Sequence, residues 1–182
     1  MKRTASLRRQ NRGFTLVELC TAAGICATLV SQAVPALTQM RQQQALRAQA
    51  EALATDLRLA RSEAVRAGES VFFRISGKGA NACYVLHTGT RNDCDCSGGQ
   101  ASCQAADSHV IKAVWLTQGL AASLRSNAET LQFQQRQGLV TQTGSIELKL
   151  DSGVAVRQVV AITGRVRSCA PGGQLAGMPR CA

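Results

Sequence analysis

Residues Gly164 to Cys169 read Gly-Arg-Val-Arg-Ser-Cys: two arginines two positions apart, behind a glycine and ahead of a cysteine. Guanidinium groups stay charged at any physiological pH and pair with phosphate oxygens through two parallel hydrogen bonds. No acidic residue follows Asp151, whereas Arg157, Arg165, Arg167 and Arg180 all do. On a strand Arg165 and Arg167 project to one side, about 6.6–6.8 Å apart. Arg157 and Thr163 join them if the strand runs unbroken, and a bulge at Gly164 would remove Arg157 from that face. Gly164 suits a sharp turn or a close backbone approach to a ligand. No aromatic residue stands near the tail to stack bases, so the chemistry on offer is phosphate contact, independent of sequence and sensitive to salt. Two to four such contacts give log K a slope of roughly −2 to −4 against log salt. The plainer reading is a solvated edge strand, whose charges block sheet-to-sheet aggregation.

The cysteines offer a second chemistry. Cys20 and Cys26 lie in an apolar run and read as small hydrophobes. Cys83, Cys94, Cys96, Cys103, Cys169 and Cys181 lie in polar, loop-like sequence. An even set of this kind predicts disulfides and an oxidising compartment. Cys169 and Cys181 stand apart together at the C-terminus, so they are expected to pair, which would brace the basic tail. The pairing of the other four is open. A metal site from those four, aided by His87 or His109, is the weaker alternative, because C-x-C is not the usual zinc spacing. We therefore expect no metal and no cofactor.

Catalytic patterns are missing: the chain has no G-x-S-x-G, H-E-x-x-H or P-loop sequence. Asp93 and Asp95 flank Cys94 and read as solvated turn formers, and His87 and His109 as surface side chains at strand ends. The chain is not expected to be an enzyme.

These groups need a scaffold, and the chain supplies one in two periods. Residues 14–37 are apolar apart from small polar residues and Glu18. They are long enough to cross a bilayer, which needs ~20 residues. Lys2, Arg3, Arg8, Arg9 and Arg12 precede them without an acid and account for half of the net charge of +10, which keeps the N-terminus cytoplasmic. A cleaved secretory signal is the alternative. Against it stands Glu18, because a carboxylate in an apolar span is costly and points to a function with a positive partner. Leu46, Leu53, Leu57, Ala60 and Ala64 then continue one helical stripe, predicting a helix over 14–67 that Gly68 stops, unless Gly24 or Pro35 interrupts it. Beyond Gly68 the period becomes two, and six or seven antiparallel strands follow. The fold class is α+β: one long helix packed on antiparallel sheet. Most of residues 81–108 reads as an exposed, disulfide-stapled loop.

The stretch Arg-Gly-Phe-Thr-Leu-Val-Glu-Leu, residues 12–19, resembles the prepilin motif of type IV pilins and type II secretion pseudopilins. The resemblance implies cleavage by prepilin peptidase between Gly13 and Phe14, N-methylation of Phe14, and a role for Glu18 in assembly by pairing with a neighbour's Phe14 amine. Pro35 falls where pilins often carry a helix-bending proline. Residues 53–73 resemble the helix-to-sheet segment of FimT- and GspH-type minor pilins, which carry two β layers behind the helix. Gly164, Arg165 and Arg167 match the G-R-x-R element of FimT-type pilins, which contact DNA in natural transformation. Arg157 and Arg180 are further candidates. The implied protein is a minor pilin with a type IV pilin-like fold that binds double-stranded DNA. Its other implied partners are pilins, prepilin peptidase and, before assembly, the inner membrane, with the globular domain periplasmic and later at the cell surface. The implied organisation is a leader at 1–13, a membrane and filament-core helix at 14–37, its amphipathic continuation at 38–68, and a β-rich domain at 69–182 ending in a basic tail, 163–182. The alternatives are a structural minor pilin or GspH-like pseudopilin that primes filament assembly without DNA, and a basic face that meets another subunit or an anionic surface.

Overall fold

The computed structural model describes residues 13, 15–77, 81–116, 122–173 and 175–181. The leader residues 1–12 and Phe14, with its cleavage and methylation, lie outside the described residues. The chain divides into two units, Met1–Met40 and Arg41–Ala182.

Helix α1, Leu16–Ala67, runs without interruption past Gly24 and Pro35. It starts on Thr15, whose hydroxyl accepts the Glu18 N–H at 3.3 Å. Thr15 and Glu18 have the spacing of a capping box. Glu18 thus sits in the first turn, where the helix dipole favours a negative charge. Within the first unit the helix is apolar all round and its side chains are exposed, Leu16 at 77% and Leu37 at 52%. It is long and apolar enough to cross a membrane. The hydroxyls of Thr21, Thr28, Ser31 and Thr38 turn back to carbonyls three residues earlier, which satisfies polar groups that lipid cannot.

In the second unit α1 buries the predicted stripe, with Ala50, Ala54 and Asp56 added to it. The strands are β1 (Val71–Ser76), β2 (Cys83–His87), β3 (Cys94–Asp95), β4 (Ser102–Cys103), β5 (Val110–Trp115), β6 (Ala122–Ser126), β7 (Thr130–Phe133), β8 (Gly144–Leu150), β9 (Ala155–Val160) and β10 (Val166–Cys169). They form two four-stranded sheets, ordered β5-β2-β1-β7 and β10-β9-β8-β6, and a two-stranded ribbon, β3-β4, all with antiparallel pairs. One core joins α1 to both four-stranded sheets through residues such as Leu53, Leu57, Phe73, Phe133, Ile146 and Val156. Burial at alternate positions of β8 shows why: Ile146, Leu148 and Leu150 face in, while Glu147 and Lys149 face out.

Polar tethers fix the helix on the sheets. Asp56, 2% exposed, accepts the Tyr84 hydroxyl at 2.7 Å and the Lys112 ammonium at 2.6 Å. Burial, then the hydrogen bond and charge of Asp56, push the Tyr84 phenol well above its ordinary range. The Gln158 amide donates to the Ala50 carbonyl at 2.8 Å, and its oxygen accepts the Ser168 hydroxyl.

More strands form than the alternation suggested. β6 and the ribbon were not anticipated. Much of the cysteine segment beyond β2 is exposed and stapled by disulfides, as expected, but part of it covers the outer face of β2. Cys94 and Cys96 are fully buried with Cys83 and Val85, so β2 is buried on both faces. Short polar turns hide this packing from a reading of periodicity. Disulfides join Cys83 to Cys96 and Cys94 to Cys103. Arg74 clamps the segment from beneath by donating to the carbonyls of Asn92 and Cys94, and the Trp115 indole donates to the Cys96 carbonyl.

Candidate functional site

The tail's basic residues sit on a β-hairpin. The tail, read as running unbroken or breaking at Gly164, breaks there into β9 and β10, joined through Ile162, Thr163 and Gly164. Gly164 N–H donates to the Ala161 carbonyl at 2.8 Å and Ala161 N–H to the Arg165 carbonyl at 3.0 Å. Gly164 has φ +73°, the left-handed residue that a three-residue hairpin loop requires. Thr163 therefore lies in the turn and not on the strand face.

Gly164 is buried, and its surroundings give it a second reason to be glycine. A Cβ there would stand 2.3 Å from the Gly138 carbonyl oxygen and 3.0 Å from Arg61 Cδ. Gly138 also has positive φ, and a Cβ on it would meet Arg61 Cγ at 2.6 Å. Two glycine turns thus close over the stem of one helix arginine. The Val140 N–H donates to the Ile162 carbonyl, tying the same two turns together.

Arg165 and Arg167 are exposed, with Val166 buried between them. β10 is an edge strand, paired in its sheet with β9 alone. Arg167 pairs in register with Val159, and Cys169 with Arg157, which puts Arg157 on the same face as Arg167. Arg157 is not free there. Glu147, its register partner on β8, holds it at 2.7 Å. The expected unneutralised charge at Arg157 fails because the carboxylate comes from an upstream strand that sheet pairing brings alongside. Arg180 and Arg167 line one recess of about 490 Å³ with Pro179 and the Cys169–Cys181 disulfide. The tail is braced further by Arg47, which donates to the Ala176 carbonyl at 2.6 Å, and by Ala170 and Cys181 backbone bonds.

Arg165 faces a different recess, of about 700 Å³, which the sequence reading did not anticipate. The walls carry Arg58, Arg61 and Arg66 of α1, Arg136 of the turn after β7, and Arg165, with no acidic residue. Arg66 pairs with Glu63. Among the described residues no carboxylate pairs with Arg58, Arg61, Arg136, Arg165, Arg167 or Arg180. The signal that would have found the helix part is spacing: Arg58, Arg61 and Val65 step by three and four, one position beyond the buried Leu57, Ala60 and Ala64. Arg136 is distant in sequence from all of them.

The other candidates resolve differently. His87 is buried, not at the surface. It stacks on Phe72 at a centroid distance of 5.3 Å, with Nδ1 3.1 Å from the Thr88 carbonyl. Burial holds its pKa below the ordinary histidine value, against the opposing pull of the Thr88 bond and Asp93. His109 is exposed. Asp93 and Asp95 keep contact with solvent, as expected, and each also accepts a backbone hydrogen bond. The Ala105 N–H donates to Asp93 and the Ser97 N–H to Asp95, and these bonds keep both carboxyls below their ordinary range. Cys94 and Cys103, which with Asp93 lie close enough to suggest a metal cluster, are already joined to each other. Cys20 and Cys26 are free and exposed on the apolar helix.

The family model described as Type II transport protein GspH matches residues 49–164. The match ends on Gly164, just short of Arg165. Two crystal forms of the type IV minor pilin FimU of Pseudomonas aeruginosa strain PAO1 have the same fold, at TM-scores of 0.51 and 0.52 and 15% identity, covering 67% and 69% of this chain and 86% and 97% of theirs. The minor pseudopilin EpsH from the Type 2 Secretion System of Vibrio cholerae is similar at a TM-score of 0.50 and 17% identity, covering 70% of this chain and 98% of its own. No curated protein sequence matches the chain. With a family match over most of its length, one long N-terminal helix and antiparallel sheets behind it, the chain belongs to the GspH family of type IV pilin-like minor pilins and pseudopilins.

Proposed function

We propose that the protein is a minor type IV pilin that binds double-stranded DNA without sequence preference and supports DNA uptake in natural transformation. One observation carries this reading: Arg165 and Arg167 are exposed at the start of and along an edge strand, with no carboxylate partner among the described residues, on a tail braced by a disulfide. Arg180 shares the recess beside Arg167. Gly164 contributes by shaping the turn that presents Arg165. A tail backbone already held by the Cys169–Cys181 disulfide lowers the ordering cost of meeting phosphate.

In the same reading prepilin peptidase cuts between Gly13 and Phe14, the new Phe14 amine is methylated, and Glu18 pairs with the amine of a neighbouring pilin. The helix holds the subunit in the inner membrane, N-terminus inward, with the β-rich domain in the periplasm until assembly carries it to the surface. The leader is then residues 1–13, the membrane and filament-core segment 14–37, its continuation 38–68 and the globular domain 69–182.

A second reading has its own support. The family match stops before Arg165, so the shared region is scaffold, as in a pseudopilin that primes filament assembly and meets no DNA. Cells carrying Arg165→Ala/Arg167→Ala separate the two. DNA capture predicts that uptake falls while pili remain. Unchanged uptake contradicts it, and lost pili with normal transformation favour the scaffold.

A further inference from the structure

We propose that Arg58, Arg61 and Arg136 form, with Arg165, a phosphate-binding groove that carries the DNA contact from the tail hairpin onto helix α1. The inference rests on the DNA-binding reading above and adds a second set of contacts to it. Four guanidinium groups from three separate segments converge on one open recess, and none has a carboxylate partner among the described residues. Like charges gathered in this way repel, and an anion relieves that repulsion. One isolated phosphate engages one or two guanidiniums. Four spread along a recess of about 700 Å³ fit a run of phosphates, as on a nucleic-acid strand.

The groove is built, not incidental. Arg61 is held by its stem between the Gly138 and Gly164 turns, so its position is set by backbone and not by a mobile surface chain. Arg58 stands one helical turn before Arg61 on the same flank of α1. Arg165 lines this groove, while Arg167, two residues on, lines the recess with Arg180. The hairpin edge therefore joins two basic recesses, and a duplex lying along it meets both. The open breadth of the groove and the absence of stacking aromatics suit a double-stranded backbone rather than splayed single strands.

The test uses the full chain in non-ionic detergent micelles and a fluorescent 24-base-pair duplex, titrated between about 50 and 200 mM salt. Arg58→Gln/Arg136→Gln removes two groove charges and leaves Arg61, which packs under the turns. Arg41→Gln/Arg91→Gln removes the same charge elsewhere. The groove predicts that Arg58→Gln/Arg136→Gln weakens binding roughly tenfold and makes the salt slope shallower by about 2, while Arg58→Lys/Arg136→Lys keeps the slope. Circular dichroism confirms that each variant is folded. A groove variant that binds like the charge-matched control overturns the proposal, as does a wild-type chain that ignores the duplex. Arg167→Ala/Arg180→Ala, at the other recess, measured alongside, reads the tail separately. If that variant binds like wild type while the groove variant fails, the groove stands and the tail recess carries no contact.

Discussion

Residue by residue, the motif's glycine and its arginines have different jobs. Gly164 closes a hairpin at positive φ against the Gly138 carbonyl, so Gly164→Ala must strain the backbone and displace a neighbouring turn. We expect a loss of about 2–3 kcal/mol, from strain and overpacking together, read as a lower urea midpoint; an unchanged midpoint would show that the turn is loose. His87 makes a different prediction. Its folded pKa lies below the value near 6.5 that it regains on unfolding. The unfolded chain therefore takes up a proton first as pH falls, and stability drops below about pH 6.5. Wild type should lose stability between pH 7.5 and 5.5 and His87→Gln should lose less; equal losses would remove His87 as the cause. The arginine pair was legible because charge and spacing are written locally. The reasons for Gly164 and for the neutralisation of Arg157 were not, since Gly138 and Glu147 reach them only through folding.

At the level of elements, the helix was the most legible part. Its stripe and its stop at Gly68 follow from a single period, and Leu46 to Ala64 pack as that period requires. What the period missed was Asp56, a carboxylate inside the stripe that ties α1 to β2 and β5 through Tyr84 and Lys112. Asp56→Ala strands the buried Tyr84 hydroxyl. Lys112, whose side chain is 44% exposed, recovers water, so most of the cost falls on the tyrosine. A loss of about 2 kcal/mol is expected, with Tyr84→Phe/Asp56→Ala costing no more than Asp56→Ala alone. A clear further loss in the double variant would contradict the tether. Strands were read less well. The break between β9 and β10 stayed open because Gly164 reads equally as a bulge or a turn, and the cysteine ribbon went unread because its burial comes from β2 and not from its own alternation.

For the molecule as a whole, charge placement links fold and function. Among the described residues of its unit the apolar half of α1 stays exposed, and it is long and apolar enough to cross a membrane. The second unit carries two basic recesses on either side of one hairpin edge. Family membership places the chain among pilin-like scaffolds, and Arg165, Arg167 and Arg180 lie beyond the matched region. Several such subunits at a filament tip would raise weak single contacts by avidity. The direct measurement is a salt-dependent titration of duplex DNA on the full chain in micelles, wild type against Arg165→Ala/Arg167→Ala. The account predicts sequence-independent binding that weakens with salt, and a double variant that binds more weakly with a slope shallower by about 2. Equal affinity and equal slope in the two proteins would contradict it.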